Sequence, residues 1–432
     1  MEAGQHCLRN FLKNIKVVVN RKLAKDPQYK VRAVIGNQGC DPDSVVGAVL
    51  ITAMKAIQEG KKSPTFANAI SSLLTEQFNA EQEIPFEPVL PVINNETNDF
   101  IRDKADLDYL NKSFNLGLEE IIPISWLASL EAKKTPVELI LHDHNAPERN
   151  VRHFVPSATF TEVYDHHAIV DPKFTSTIKH NFTEPSGSGF SVVLRRAEKE
   201  DLELLVKYFP ELAKVSSVVM FADAKGFSEK EKDTRWWDFD LTFSKDFGKI
   251  NGMTKDDMKK YRKGMKEALN DPNEFKKPLS HLTGQDQKIF TYEITKEHPG
   301  TTVKIGDKID IVFSSVKGSY DTFGKHFKEE GVWNGAVQEM DKYKAFMVIY
   351  TFITSESEGA DEEKRDMTFY SRDKGFAKHL PDSLIKSGLN LVFVREITPP
   401  AGDTSGVYGF LYANPTSDIR RKVAEAAMRP LM

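Results

Sequence analysis

Two cysteines in 432 residues, Cys7 and Cys40, are too few for a disulfide framework or a four-thiolate zinc site. Long apolar runs are also missing. No stretch of about 18 apolar residues occurs, and Met1-Glu2-Ala3-Gly4-Gln5-His6 lacks a signal-peptide core. Neither secretion nor membrane spanning is expected, and a reducing compartment is. Charge of one sign is scarce too: 59 Lys and Arg face 63 Asp and Glu, for a formal net charge of −4. Nothing in that balance advertises a nucleic-acid surface, and any anionic ligand must meet basic residues gathered locally. There is no internal repeat or low-complexity tract. What remains is an ordinary globular composition, long enough for two domains with separate cores.

Strand-like apolar runs at 31–36, 88–93, 120–125, 137–142, 159–165 and 216–222 alternate with helical patterns. Ser44 caps a buried helix over 44–59, and Gly187-Ser188-Gly189 opens an amphipathic helix over 188–207. This alternation predicts an α/β fold: a mostly parallel sheet wrapped by helices, over residues 1–250. The charge run Ser228-Glu229-Lys230-Glu231-Lys232-Asp233 then marks a linker region at about 228–284, which includes an exposed helix over 254–270. Further strands at 288–293, 309–316, 345–354 and 390–396 suggest a smaller C-terminal α+β domain over 251–432, with an acidic loop at 356–364.

The chemistry sits at strand ends, where parallel sheets bind ligands. The 31–36 run leads into Asn37-Gln38-Gly39-Cys40-Asp41-Pro42-Asp43-Ser44, the 137–142 run into Asp143-His144-Asn145, and the 159–165 run into His166-His167. Carboxylates and imidazoles in such company suit a divalent ion such as Mn²⁺, Mg²⁺ or Co²⁺. Asp41 and Asp43 can point at one or two cations, with Pro42 fixing the backbone between them. The plainer alternative is that Asp43 or Ser44 caps a helix. If the strand stays extended, His142 and His144 point away from Asp143. Asp223, after an apolar run, gains interest only from its company; alone it is a helix cap or turn residue. Together these groups suffice for two adjacent cations.

In this order, Gly36 to Ser44, Leu141-His142-Asp143-His144-Asn145, Tyr164-Asp165-His166-His167 and then Asp223 resemble the DHH phosphoesterase superfamily. The resemblance is closest to its exopolyphosphatase branch, which includes prune-like proteins and is related to family II inorganic pyrophosphatases. Pro91-Val92-Ile93-Asn94 with Phe100-Ile101-Arg102 resembles a second stretch of that branch, and Ser186-Gly187-Ser188-Gly189 a third, with glycine replacing cysteine at 189. Asp286-Gln287-Lys288-Ile289-Phe290 and Arg420-Arg421-Lys422 resemble the companion DHH-associated domain. The resemblance implies two metals, one on Asp41 and Asp143 and one on Asp43, Asp143, His166 and Asp223, with Asp143 bridging. It further implies a phosphate contact from His167, further phosphates held by Lys288, Arg421 and Lys422, and substrate contacts from Asn37, Arg102 and His144. Asn37 stands where family II pyrophosphatases carry a histidine, which points to a harder, oxygen-preferring metal set. Little catalytic effect is expected from glycine at 189.

The expected activity is metal-dependent release of terminal orthophosphate from inorganic polyphosphate, with Asp143 and His167 as catalytic residues. The alternatives are a pyrophosphatase or short-chain polyphosphatase, a phosphodiesterase, and a prune-like interaction protein with weak hydrolysis. The expected partner is a polyanionic phosphate, not a nucleic acid or a membrane. A monomer is expected, with a dimer as the alternative, in the cytoplasm or a polyphosphate-storing organelle. The Arg420-Arg421-Lys422 triplet has a plainer alternative as a helical surface patch. The basic residues of 254–270 (Lys255, Lys259, Lys260, Arg262, Lys263, Lys266) are better explained as a solvated helix face than as a polyanion track.

Overall fold

Short apolar strands alternating with capped helices build a six-stranded sheet in the first part of the chain, and every pairing in it is parallel. The computed structural model describes residues 8–269, 282–283, 287–295, 297, 300–355, 361–386 and 389–414. The strands are β1 (Val31–Ile35), β2 (Val89–Ile93), β3 (Ile122–Pro123), β4 (Val137–His142), β5 (Thr159–Asp165) and β6 (His180–Thr183). Their spatial order is β3-β2-β1-β4-β5-β6. Successive strands step away from β1 on one side and from β4 on the other, so the order reverses between these two. A crevice opens outside the carboxyl ends of the strands at such a reversal. β1, β2 and β4 are buried almost throughout, as expected of strands covered by helices on both faces.

The Pro42–Gly60 helix is almost wholly buried, and it packs on β1, β2 and β4. Asp41, not Ser44 as expected, caps it by accepting a hydrogen bond from the Ser44 amide (2.9 Å), and Pro42 occupies the first turn, so the helix begins two residues before the expected start. Three further expectations are corrected. Residues 216–222 lie inside the Pro210–Asp223 helix rather than in a strand. A short apolar run fits either element, and contacts with neighbouring helices decide it here. The helix over 188–207 is two helices, Gly189–Leu194 and Lys199–Tyr208; the Glu198 amide donates to Asp201 (3.1 Å) where the second begins. Of the run 120–125, only Ile122–Pro123 pairs as a strand, because Ile124 already starts a helix. β6 escaped notice because His180-Asn181-Phe182-Thr183 carries no apolar run.

The chain divides into two compact units, residues 1–271 and 272–432. The boundary falls after the Lys255–Leu269 helix, which packs on Ala105–Phe114 and Pro210–Asp223 and so belongs to the first unit. The second unit holds a mixed sheet of β7 (Gln287–Glu293), β8 (Lys308–Lys317), β9 (Ala345–Ser355), β10 (Asp361–Ser371), β11 (Val392–Ile397) and β12 (Tyr408–Asn414). The order is β11-β12-β10-β9-β8-β7, with β8 and β9 parallel and the other pairs antiparallel. Apolar clusters form around Met347, Phe369 and Phe376 and around Trp333, Tyr350 and Tyr370, with the Lys374–Lys386 and Tyr320–Met340 helices packed on the sheet. Of the acidic loop expected at 356–364, residues 361–364 belong to β10, and 356–360 lie outside the described residues. Among the described residues, no helix is long and apolar enough to cross a membrane.

The largest core runs from Leu8 to Met265, wholly within the first unit. Residues 1–271 expressed alone should therefore unfold in one sigmoidal urea transition followed by tryptophan fluorescence. A gradual, non-cooperative loss of signal would show that the core needs the second unit.

Candidate metal site

The site grows from the crevice at the ends of β1 and β4. Past β1 the chain folds tightly: Asn37 accepts from the Gly39 amide (2.8 Å), and the buried Lys104 ammonium donates to the Gly39 carbonyl (2.6 Å). Glu148 accepts from the Gln38 amide (2.5 Å) and from Asn94 (3.1 Å). Cys40 sits inside this loop, and burial pushes its thiol up to about 12, which leaves it unreactive. Past β4 the extended backbone ends at once, because Asp143 takes a left-handed φ of +61°. That turn aims its carboxylate across the crevice. Oδ2 accepts from Asn37 Nδ2 (2.6 Å) and Ser44 Oγ (2.7 Å), while Oδ1 meets the histidines.

His166 is the hub. Its Nδ1 donates to the Ser186 carbonyl (3.0 Å), which leaves Nε2 as the nitrogen that could ligate a metal. Nε2 lies 3.2 Å from Asp143 Oδ1, 3.6 Å from Asp43 Oδ2 and 3.6 Å from Asp223 Oδ2. Asp43 comes from the first turn of Pro42–Gly60, and its oxygens accept from Ser188 Oγ (3.0 Å) and the Gly189 amide (2.9 Å). Asp223 ends the Pro210–Asp223 helix, and its Oδ2 is buried without a hydrogen-bond partner. His167 turns Nδ1 to Asp165 Oδ1 (2.8 Å) and is one-third exposed. Asp165 also accepts from the His166 amide (2.8 Å) and from Asn145 Nδ2 (2.5 Å).

Electrostatics follow from this crowding. Burial, then the charges of Asp143 and Asp223, push the Asp43 carboxyl well above its ordinary range. Asp223 is raised by burial first, with Asp143 and Asp41 adding and His166 opposing. Burial would also raise Asp143, but contact with His166 and His167 holds it well below the usual carboxylate range. Burial disfavours the His166 imidazolium, yet Asp223, Asp143 and Asp43 outweigh it and raise its pKa. Without metal, a charged imidazole thus serves as the counterion of the carboxylates.

The donors fit a hard divalent cation: carboxylate oxygens, imidazole nitrogens and one unsatisfied buried oxygen converge. Ligand atoms of Asp143, His166 and His167 lie within 4.8 Å of one another, and so do those of Asp43, His166 and Asp223. The two groups share His166. Asp41 is in neither; its carboxylate caps the helix and adds negative charge beside Asp43 and Asp223. Asn37 is placed as a donor to Asp143.

The other expected residues separate. His142 is buried, and burial lowers its pKa; its neutral ring donates from Nε2 to the Asp43 carbonyl (3.1 Å). A Cβ at Gly47 would lie 1.9 Å from His142 Nε2, and one at Gly189 would lie 2.7 Å from Cε1, so both glycines are required by this ring. Glycine at 189 is therefore tied to His142 packing. His144 is buried, with Nδ1 on the His142 carbonyl (2.9 Å) and Nε2 unpartnered. Arg102 is exposed and lines a groove with Asp108, Lys112 and Glu119. Lys288 lies on β7 of the second unit, and Arg421 and Lys422 lie outside the described residues. Sequence reasoning placed Ser188 and Asn145 in motifs without giving them a role, and missed Asp240, which accepts from Ser186 Oγ (2.6 Å), the Gly187 amide (2.9 Å) and the Trp237 amide (3.0 Å). Asp240 follows Trp237 and Phe239 in a stretch with no motif. No protein-family model matches the chain, and no match to a curated protein is found either.

Two outcomes are expected. Mn²⁺ at about 100 times its Kd should stabilise the full-length protein by about 2.7 kcal/mol in thermal melts, and Asp223→Ala should remove most of that gain. Absence of any shift in the wild type would sink the metal site. Asp165 is held at about 2, because His167 outweighs its burial. A depressed carboxylate stabilises above its unfolded value near 3.9, and that stability is lost as pH falls toward 2. Asp165→Asn should flatten this acid limb by on the order of 2 kcal/mol; an unchanged limb in acid titration would contradict the pairing.

Proposed function

We propose that this protein is a metal-dependent phosphoanhydride hydrolase of the DHH type that releases terminal orthophosphate from inorganic polyphosphate. The observation that carries the reading is His166 Nε2, set 3.2–3.6 Å from carboxylates of Asp143, Asp43 and Asp223 on three separate elements. Such a donor set suits a pair of Mn²⁺, Mg²⁺ or Co²⁺ ions, which Asp143, Asp43, His166 and Asp223 would hold. When bound, such a pair supplies Lewis acidity, lowers the pKa of a water and offsets charge on a phosphoryl group.

The chain's own residues divide the remaining work. Asn37 and Ser44 hold Asp143 Oδ2, so that Oδ1 stays turned toward His166 and His167. Asp165 keeps the His167 proton on Nδ1, and Nε2 is left to meet a non-bridging phosphate oxygen. Protonated, that nitrogen stabilises charge spreading over the phosphoryl oxygens during in-line displacement. In this reading Lys288, Arg421 and Lys422 bind further phosphates.

A matrix of Mn²⁺, Mg²⁺ and Co²⁺ against pyrophosphate, tripolyphosphate and long-chain polyphosphate tests the reading. Phosphate release fastest from the longer chains is expected; release from none would reject hydrolysis, and a preference for pyrophosphate would shift the substrate. Asp143→Asn should abolish release while the fold persists. His166→Ala should lose metal affinity. His167→Ala should keep metal and slow turnover by roughly 10²–10³-fold, the loss typical of one transition-state donor. Equal metal loss in both histidine variants would refute this division.

A further inference from the structure

One turn sets the direction of the Asp143 carboxylate. Past β1 the chain reverses over residues 36–40, with Cys40 left-handed (φ +44°) and its amide donating to the Asn37 carbonyl (3.0 Å). Both donors to Asp143 Oδ2 depend on this turn. Asn37 Oδ1 accepts from the Gly39 amide (2.8 Å), which turns Nδ2 toward Asp143 (2.6 Å). The Asn37 amide donates to Ser44 Oγ (3.2 Å), so the Ser44 hydroxyl proton is left to point at Asp143 (2.7 Å). A shift of the turn would loosen both contacts at once.

Three side chains from distant segments grip the turn by its backbone. Asn94, just past β2, donates to the Gly36 carbonyl and to Glu148 (both 3.1 Å). Glu148, at the start of the Arg149–Phe154 helix, accepts from the Gln38 amide (2.5 Å). Lys104, between the Asp99–Asp103 and Ala105–Phe114 helices, is 5% exposed and donates to the Gly39 carbonyl (2.6 Å). Its ammonium also lies 5.7 Å from the Phe100 ring centroid. Arg102, two residues earlier, is exposed, whereas Lys104 is turned inward. The turn is thus held by an anion at an N–H and by a cation at a carbonyl, the stronger kind of hydrogen bond.

Resting on the metal-binding part of the reading above and not on hydrolysis, we propose that Lys104 and Glu148 are positioning residues for a divalent cation. They fix the 36–40 turn so that Asn37 and Ser44 occupy Asp143 Oδ2, and Oδ1 is left for the ion. Each acts through a backbone group of the turn rather than by touching the ion. Their opposite charges separate this role from plain electrostatics. If charge alone mattered, removing a nearby cation would tighten Mn²⁺ and removing a nearby anion would weaken it. Removing a support weakens Mn²⁺ whatever the sign of its charge.

The test is calorimetric titration of Mn²⁺ into the full-length protein, with melts of the metal-free variants as a check on folding. Lys104→Met and Glu148→Leu should each weaken Mn²⁺ binding by about 10–100-fold, the loss typical of a support behind a ligand. Glu148→Gln keeps an acceptor for the Gln38 amide and should recover most of the affinity. In an Asn37→Ala background both losses should shrink, because the main route to Asp143 is already cut. Tighter Mn²⁺ in Lys104→Met, with weaker Mn²⁺ in Glu148→Gln, would reduce the effect to charge and overturn the positioning role. Wild-type affinity in folded variants would overturn it too, as would full additivity with Asn37→Ala. If Lys104→Met melts early, the two variants of the half-buried Glu148 carry the test. No binding of Mn²⁺ by the wild type rejects the metal reading and the positioning role together. Weakened Mn²⁺ in the variants of a protein that releases no phosphate upholds the positioning role and rejects the hydrolase.

Discussion

Three buried or half-buried aspartates around one imidazole nitrogen set the terms for everything else in the first unit. Asp43, Asp143 and Asp223 would repel one another in a medium that screens poorly, and only a cation among them makes the arrangement tolerable. Their divergent protonation expresses this: Asp143, closest to His166, stays ionised, while Asp43 is driven toward its neutral form. A divalent ion held there would take over the neutralising part of the imidazolium.

The scaffold answers that repulsion with fixed donors. Ser44, Asn37, Ser188 and the Gly189 amide hold the outer lone pairs of Asp143 and Asp43, and Ser186 holds His166 from behind. Behind them, Asp240 fastens the Ser186–Gly187 turn, and Asn145 fastens Asp165. Such supports orient ligands without touching a metal, and losing one typically costs 10–100-fold in affinity or activity. His142 has a structural part here: neutral and buried, it fills the space that Gly47 and Gly189 leave open.

Legibility differed by the kind of information each residue carries. The ends of β1, β4 and β5 were visible because apolar runs stop abruptly at polar residues, and ligands gather at such ends in parallel sheets. His166 and Asp143 could be selected from that pattern. Asp41 could not be separated from Asp43, since a carboxylate at a helix start is a cap or a ligand depending on where the helix points. Residues 216–222 were misjudged because seven apolar-rich positions suit a strand or a buried helix equally, and Asp223 was still selected because it follows the other motifs in the order of the resemblance, whatever element carries it.

By itself the sequence determined the α/β alternation, the second, strand-rich part, and the choice of acids and imidazoles as the groups that could hold a metal ion. Those depend on periodicity and side-chain chemistry, which are local. Only the tertiary structure decided that the strand order reverses between β1 and β4, that Asp143 turns its carboxylate by a left-handed backbone, and that His166 is the atom all three carboxylates share. Those depend on which distant segments meet. Convergence of side chains from residues 43, 143, 166 and 223 is set by sheet order and helix packing, and neither can be read along the chain.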